Sequence, residues 1–263
     1  MNKGKLFVVA TPIGNLKDIT MRALETLRSV DYILCEDTRV TKKLLTHYQI
    51  SKPTISYHHH SSESKIKEIA KLLEDGKNLA IVTDAGTPGI SDPGNRLISI
   101  ILKRDSLGRS VGRQNDKDEI AASHSAPRND NGKIASSLAT IRNDGGTIIP
   151  IPGPCAVIAA LSISGFPTDK FYFAGFPPHK NKRQKFFKEL TAREETIVFY
   201  ESTHRILKTL SELQTFLPQR EIMLARELTK QFETIYRGTA EQILEKIKKG
   251  PSKGEFVVVI RSI

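Results

Sequence analysis

Short, continuous apolar runs alternate with amphipathic helical segments through the first half of the chain, and this alternation constrains the fold more than any other feature. The apolar runs, rich in β-branched residues, lie at 5–11, 32–37, 54–58, 78–84 and 146–152. Helical periodicity predicts helices over 18–30, 41–48, 63–76 and 95–104. Strands that are apolar throughout, each followed by a helix, indicate a parallel sheet with helices on both faces.

The second half of the chain has a different order of elements. Predicted strands lie at 171–176, 195–202, 221–227, 233–239 and 255–262. Predicted helices lie at 182–191, 204–216 and 240–250. The strands 221–227 and 233–239 are separated by only a few residues, which favours antiparallel pairing and therefore a mixed sheet. We predict an α/β fold of two domains, 1–151 with a parallel sheet and 152–263 with a mixed sheet.

Residues 104–144 interrupt this organisation. They contain no aromatic residue and are rich in Ser, Asn, Asp, Gly and Arg. So few apolar side chains cannot offset the conformational entropy lost when a segment becomes ordered. We predict that this segment is a mobile surface insertion, or at most a loose helical hairpin, and that it takes no part in the core.

The balance of charge indicates the class of partner. The chain has 40 Lys and Arg against 29 Asp and Glu, a formal net charge of +11, which favours nucleic acid. No apolar stretch approaches the roughly 20 residues that span a bilayer, and the early Pro12 and Gly14 argue against a secretory signal. Cys35 and Cys155 offer neither a disulfide framework nor a metal-binding spacing. We therefore expect a cytoplasmic protein with no metal and no membrane segment.

Three loops rich in glycine and proline follow predicted strands. They are "ATPIGN" (10–15), "TDAGTPGISDPG" (83–94) and "PIPGPCA" (150–156). Ligands of open parallel sheets bind at the carboxyl ends of the strands, and glycine lets the backbone approach a ligand closely. Neither a P-loop nor a G-x-G-x-x-G motif is present, so these loops favour a ligand held mainly by main-chain groups. The alternative is that each loop is only a tight turn.

Six motifs then occur in one order along nearly the whole chain outside 104–144. They are "VVATPIGNLKDIT", "CEDTR", "TDAGTPGISDPG", "PIPGPCAVIAALSISGFPTDKF", "FYESTHR" and "LARELTKQFETI". Together they resemble the ribosomal RNA small subunit methyltransferase I family, which has the tetrapyrrole-methylase fold. The resemblance implies S-adenosyl-L-methionine bound in a cleft between two α/β domains, and a homodimer. It also implies 2′-O-methylation of a cytidine in the decoding region of 16S rRNA, with free rRNA or the 30S subunit as partner.

The resemblance assigns the cofactor to the three loops. The residues carried over are Thr11, Pro12 and Gly14; Asp84, Gly86, Thr87 and Ile90; Pro152, Gly153, Cys155 and Ala156; and Ala225 on a later strand. Related tetrapyrrole enzymes often have Gly-Asp-Pro in the second loop, where this chain has Gly86-Thr87-Pro88. Which carboxylate meets the amino group of the cofactor is therefore left open.

A ribose hydroxyl is a poor nucleophile until a base removes its proton or a cation stabilises the alkoxide. The candidates for these roles are Glu36, Asp37, Glu227 and Lys230, with His204 as a weaker one. Each also has an ordinary structural explanation. Asp37 and His204 could cap helices, and Glu227 with Lys230 could be a surface ion pair. The sequence assigns no base.

Two basic clusters are candidates for RNA contact. They consist of Arg39, Lys42 and Lys43, and of Lys180, Lys182, Arg183 and Lys185. Such clusters attract phosphates, although they could also be solvated helix faces.

Two other functions remain open at this point. The chain could be a tetrapyrrole-type small-molecule methylase, or a non-catalytic RNA-binding factor in ribosome assembly.

Overall fold

A computed structural model describes residues 3–58, 61–92, 94–110, 148–250 and 253–263. The first half contains the strands β1 Leu6–Val9, β2 Tyr32–Cys35, β3 Thr54–Ser56, β4 Leu79–Val82 and β5 Ile148–Ile151. Its helices are α1 Met21–Ser29, α2 Thr38–His47, α3 Glu63–Glu74 and α4 Gly94–Ser110. This alternation is the one that the apolar periodicity predicts.

The first five strands form one parallel sheet in the order β3-β2-β4-β1-β5. Alternate residues of β1, β2, β4 and β5 enter opposite cores. In β4, Ala80 and Val82 pack in the cluster that contains Leu27 of α1, while Leu79 and Ile81 pack in the cluster that contains Ile69 of α3. Helices therefore cover both faces, which explains why the strands are apolar throughout.

The second half begins with a helix and forms a second sheet. Its helices are α5 Ala156–Ser164, α6 Arg183–Thr191, α7 Ile206–Phe216 and α8 Ala240–Lys249. Its strands are β6 Phe171–Phe173, β7 Thr196–Ser202, β8 Ile222–Arg226, β9 Thr234–Gly238 and β10 Glu255–Ile260, in the sheet order β6-β7-β10-β8-β9. Only β6 and β7 are parallel, and β8 pairs with β9 in antiparallel fashion. The two-domain α/β fold with one parallel and one mixed sheet is thus confirmed, and the boundary at 151/152 stays a prediction.

The two faces of the second sheet have different neighbours. Helices α6, α7 and α8 bury one face in a core around Phe199 and Val258. On the other face, Val157 and Leu161 of α5 pack with Val257, and Ile13 from the first half joins the same cluster. The loop after β1 therefore contacts the sheet of the second half.

The largest differences between the predicted and the observed elements concern two helices. Helix α4 continues to Ser110 rather than ending at residue 104, and the rest of the predicted insertion, from 111 to 144, lies outside the described residues. Helix α5 was not predicted, because its sequence "AVIAALSIS" is apolar on almost every side and shows no helical periodicity. In the described part of the chain, no helix combines the length and the apolar character that a bilayer crossing requires.

Candidate functional site

The three loops rich in glycine and proline converge because they leave three adjacent strands, β4, β1 and β5, at their carboxyl ends. Thr11 and Gly86 exchange two backbone hydrogen bonds, with N···O distances of 2.9 and 3.1 Å. The hydroxyl of Thr87 donates to the carbonyl of Pro154 at 2.9 Å. These bonds join the first loop to the second and the second to the third, so the loops form one assembly rather than three separate turns.

The loop after β4 is held in its shape by Asp92. Gly86 and Gly89 have φ angles of +86° and +91°, which favour glycine. Oδ1 of Asp92 accepts hydrogen bonds from the backbone N–H groups of Gly89 (2.7 Å) and Gly94 (2.8 Å), and the Asn95 amide donates to the Gly89 carbonyl (2.6 Å). Oδ2 of Asp92 is buried and has no hydrogen-bond partner in the described part of the chain. One oxygen of Asp92 therefore fixes the loop.

A cavity of about 400 Å³ lies between this loop assembly and the second sheet. Its walls from the first half include Ile13, Glu36, Asp84, Thr87, Ile90 and Asp92. Its walls from the second half include Cys155, Phe176, Tyr200, Glu201, Leu228, Lys230, Glu255 and Val257. The volume and the mixture of apolar walls with a few charged groups are typical of a small-molecule site.

The predicted cofactor residues fall into two groups. Asp84, Gly86, Thr87, Ile90, Cys155 and Ala156 line the cavity. Thr11, Pro12, Gly14, Pro152, Gly153 and Ala225 are not among the lining residues. Several of the second group instead shape the walls. The Thr11 hydroxyl donates to the Thr83 carbonyl (3.1 Å), and Ala225 is buried within β8.

Gly14 has a similar supporting role, because a Cβ at this position would overlap Lys230 and the carbonyl of Leu228. The backbone N–H of the next residue, Asn15, donates to the Thr229 hydroxyl at 3.2 Å. The first loop therefore packs directly against residues 228–230 of the second half, and Ile13, rather than its predicted neighbours, reaches the cavity.

Sequence reasoning missed the part of the wall contributed by β7, β10 and the loop after β6. Tyr200, Glu201 and Phe176 all line the cavity. Burial raises the pKa of the Tyr200 hydroxyl, so this side chain stays protonated. The motif "FYESTHR" covers part of β7, but its sequence does not show which side chains of this buried strand face the cavity. His204, in the same motif, is exposed and is not a lining residue.

The two adjacent carboxylates Glu36 and Asp37 have different surroundings. Glu36 lines the cavity, and its Oε2 accepts a hydrogen bond from the Thr83 hydroxyl at 3.3 Å. Asp37 caps α2, with Oδ1 accepting from the backbone N–H of Arg39 at 2.7 Å. Hydrogen bonds from the Arg39 side chain lower the pKa of Asp37 to about 2. Of the pair, Glu36 is therefore the one placed to act on a ligand.

Asp84 lies at the cavity wall, where its Oδ1 accepts from the backbone N–H of Asp37 at 3.2 Å. Partial burial raises the pKa of Asp84, and the charge of Asp37 adds to this, against the opposing hydrogen bond. The folded chain thus binds this proton more tightly than the unfolded chain. Stability attributable to Asp84 should therefore fall as the pH rises from the ordinary value of 3.8 through the raised pKa.

Replacing Asp84 by asparagine should make the protein slightly more stable than the native chain at pH 7. Asparagine keeps an acceptor for the Asp37 N–H and removes the charge. The residue is partly exposed, so the gain is small. Urea unfolding across pH should show the two stabilities converging as the pH approaches 3.8. A native chain that is the more stable of the two at pH 7 would contradict this assignment.

Lys230 is a cation fixed at the cavity by two carboxylates. Its Nζ lies 3.0 Å from Glu227 Oε1 and 3.0 Å from Glu255 Oε2. Burial disfavours the charge on Lys230, but these hydrogen bonds outweigh burial and raise its pKa. Burial alone would raise the pKa of Glu227. Hydrogen bonds from the Glu255 N–H and from Lys230 outweigh it and lower the pKa.

The backbone around Lys230 is strained. Glu227 and Thr229 have φ angles of 53° and 64°, in the left-handed region that non-glycine residues rarely adopt. Such strain persists where the surrounding structure enforces it, and it is frequent at functional sites. Glu227, whose carboxylate does not line the cavity, orients Lys230 and is a weak base. The pair is thus more than a surface ion pair.

The predicted RNA-binding residues differ in exposure. Arg39, Lys42, Lys43, Lys180, Lys182 and Lys185 are exposed, as a phosphate-binding role requires. The prediction for Arg183 is wrong, because its side chain is only 3% exposed and lies 2.6 Å from Glu212. Arg183 also donates to the Thr209 hydroxyl at 2.7 Å. Its guanidinium therefore lies in the interior, bound to Glu212 and Thr209.

Among the described residues, His, Cys, Asp and Glu do not form a group of three or more that could hold a metal ion.

Comparison with known proteins gives consistent relatives. The family model of tetrapyrrole (corrin/porphyrin) methylases matches residues 5–108 and 133–244, leaving out a stretch within the predicted insertion. Ribosomal RNA small subunit methyltransferase I of Synechocystis sp. is 44% identical over 259 residues, covering 98% of this chain and 78% of its own. The protein of the same name from Thermotoga maritima is 39% identical over 257 residues, covering 98% of both chains.

Solved structures share the fold at low sequence identity. Uroporphyrin-III C-methyl transferase from Thermus thermophilus, complexed with S-adenyl homocysteine, has a TM-score of 0.58 at 14% identity, covering 98% of this chain and 97% of its own. A diphthine synthase has a TM-score of 0.62 at 12% identity, covering 98% and 90%. Because the family model matches most of the chain and the relatives align along nearly all of it, the chain belongs to the tetrapyrrole methylase family, among its ribosomal RNA small subunit methyltransferase I members.

Proposed function

We propose that this protein uses S-adenosyl-L-methionine to methylate small-subunit rRNA, at the 2′-hydroxyl of a cytidine in the decoding region. The observation that carries the proposal is the cavity formed where three glycine- and proline-rich loops meet the second sheet. Relatives that are about 40% identical carry the name of an rRNA small subunit methyltransferase, and they support the substrate class. The assignment of the specific nucleotide rests on the resemblance of the six motifs to those of the family.

The cavity fits this cofactor in size and in chemistry. The amino group of the cofactor is a cation. The buried Oδ2 of Asp92 and the carboxylate of Asp84 are hydrogen-bond acceptors at the cavity wall. Apolar side chains, including Ile13, Ile90 and Leu228, offer surface for the adenosine moiety. When bound, the cofactor supplies a methyl group on a sulfonium, which is already a good leaving group.

The protein must then align a hydroxyl, exclude water and manage one proton. Glu36 is a carboxylate at the wall and can accept that proton, directly or through a water molecule. Lys230 is a fixed cation at the opposite wall of the same cavity and can stabilise negative charge that develops on the attacking oxygen. The two groups come from opposite halves of the chain, so the reacting oxygen would lie between the two sheets.

Transfer of tritium from labelled cofactor is the decisive test. The substrates to compare are 30S subunits, naked 16S rRNA and a tetrapyrrole, and the product should be mapped to a nucleotide. We expect label in rRNA and none in the tetrapyrrole. Label in the tetrapyrrole alone would assign the chain to small-molecule methylation. Cofactor binding without transfer to either RNA would favour a non-catalytic factor in ribosome assembly.

Replacing Lys230 by methionine should lower kcat for methyl transfer by about a hundredfold, the usual loss when one charge-stabilising group is removed. Cofactor affinity should change less than threefold, because the proposed role is in the reaction. Single-turnover transfer and calorimetry would measure the two effects. Lys208→Met, at an exposed position on α7, is the matched control. Full transfer activity in the Lys230 variant would leave the lysine with a structural role only.

The homodimer implied by the family resemblance and a cytoplasmic location stay predictions. The same holds for phosphate binding by the two exposed basic clusters. Transfer kinetics at increasing salt would report on the clusters, because phosphate contacts weaken steeply as counterions compete.

A further inference from the structure

The loop that joins β6 to α6, residues 174–182, carries an exposed aromatic ring at the cavity. Backbone bonds from Ala174 to Val198 (2.9 Å) and from Tyr200 to Gly175 (2.8 Å) extend the pairing of β6 with β7 into this loop. The chain then turns at Gly175, where φ is +65°. The next residue, Phe176, lines the cavity and is nonetheless 51% exposed.

Phe176 packs against a neighbouring ring, and hydrogen bonds hold the backbone that follows it. Its ring packs at 51° to that of Tyr200, with a centroid distance of 5.3 Å. The carbonyl of Pro177 accepts from Arg205 at 2.8 Å, and that of Pro178 accepts from Arg183 at 3.0 Å. Two buried or half-buried arginines therefore fix the backbone on which the ring stands.

Charge is distributed unevenly around this ring. The walls of the cavity that the ring lines include the carboxylates of Glu36, Asp84 and Glu255 and one cation, Lys230. The same loop continues beyond Phe176 to the exposed Lys180 and Lys182. A polyanion would thus place its phosphates at the lysines, while an uncharged part of it, a base or a ribose, approaches the cavity.

We propose that Phe176 is a stacking platform for an unpaired nucleobase of the RNA substrate, with the adjoining phosphates at Lys180 and Lys182. The inference rests on the proposed function and adds to it where the target nucleotide is held. Enzymes and binding proteins that read unpaired RNA commonly stack bases on exposed aromatic rings. A base on Phe176 would bring its own ribose to the mouth of the cavity.

The proposal predicts that residue 176 must be aromatic for efficient transfer, because the base stacks on the face of the ring. An apolar side chain of similar size should not replace it. Phe176→Leu should lower kcat/KM for transfer to 30S subunits by about tenfold to a hundredfold, the range that loss of one stacked base produces. Phe176→Trp should stay within about threefold of the native chain. Calorimetric affinity for S-adenosyl-L-methionine should change less than twofold in both. Phe171→Leu is the matched control, because Phe171 is exposed at the opposite end of β6 and does not line the cavity.

A second measurement does not depend on catalysis. A single-stranded RNA oligonucleotide that contains 2-aminopurine should lose fluorescence on binding to the native chain and retain it with Phe176→Leu. If the native chain quenches the base but transfers no methyl group, the proposed function fails and the stacking site stands.

Three results would overturn the inference. The first is native kcat/KM and native quenching in Phe176→Leu. The second is a loss of cofactor affinity in that variant as large as its loss of transfer, which would assign the ring to the cofactor. The third is a native chain that shows neither quenching nor transfer.

Discussion

Replacing Gly86 by valine should lower affinity for S-adenosyl-L-methionine at least a hundredfold. Gly86 lines the cavity, has a φ of +86°, and exchanges backbone hydrogen bonds with Thr11. A Cβ there would lie 3.3 Å from the side chain of Ile13, which lines the same wall. A branched side chain would therefore both strain the backbone and displace the loop that forms the cavity. Isothermal titration with the cofactor measures the effect directly.

The control for this prediction must carry the same backbone strain without touching the cavity. Gly165, after α5, has a φ of +74°, and a Cβ at this position would have no atom within 4 Å. Both valine variants should lose about 1–3 kcal/mol of unfolding free energy, the usual cost of such a conformation. Only Gly86→Val should lose the cofactor. Equal affinities in the two variants would mean that the loop after β4 is a turn and does not hold the ligand.

Replacing Arg183 by methionine should lower the free energy of unfolding by about 3–5 kcal/mol, because Glu212 would be left as a buried charge without its partner. The ionic network is extensive. Thr209 donates to Glu201 at 2.6 Å, and Arg205 lies 2.7 Å from the same carboxylate. For a chain of this size the loss corresponds to a fall in Tm of roughly 6–20 °C. Urea unfolding and calorimetry would measure both quantities.

A matched pair of variants separates structure from RNA binding at this helix. Lys185→Met, two residues along α6 at an exposed position, should change stability by less than about 0.5 kcal/mol. Combining Arg183→Met with Glu212→Leu should restore much of the lost stability, because neither buried charge of that ion pair remains. A stable Arg183→Met variant with weakened RNA binding would return Arg183 to the RNA surface.

Arg183 is predicted at the RNA surface but is buried in the structure, and this difference shows what the sequence could not reveal. In "HKNKRQK" every basic residue is equally suited to a solvated face, and the periodicity of a short helix leaves its inward face ambiguous. The partner that decides the matter is Glu212, which is 29 residues away and on another helix. Burial of a charge depends on such distant partners, and local patterning does not contain them.

The convergence of the three loops, in contrast, can be predicted, because it follows from the local pattern of strands and helices. Apolar strands separated by helices imply a parallel sheet, and a parallel sheet places the end of every strand at one edge. What the pattern could not supply is the order β3-β2-β4-β1-β5, which makes the three loops immediate neighbours. Nor could it show that Tyr200 and Phe176 close the cavity, since their position depends on how the second sheet docks against the first.

Helix α4 has a consequence for how this chain can change during evolution. It starts beside the cavity and runs for 17 residues, roughly 25 Å, so that Ser110 and the start of β5 lie at the far edge of the sheet. The family model leaves out residues 109–132, which begin at the last two residues of this helix. A change of chain length at that end of the helix would alter no residue of the cavity wall, whereas a change in the loops after β1, β4 or β5 would alter the shape of the cavity. The sheet thus separates a constrained edge from a permissive one.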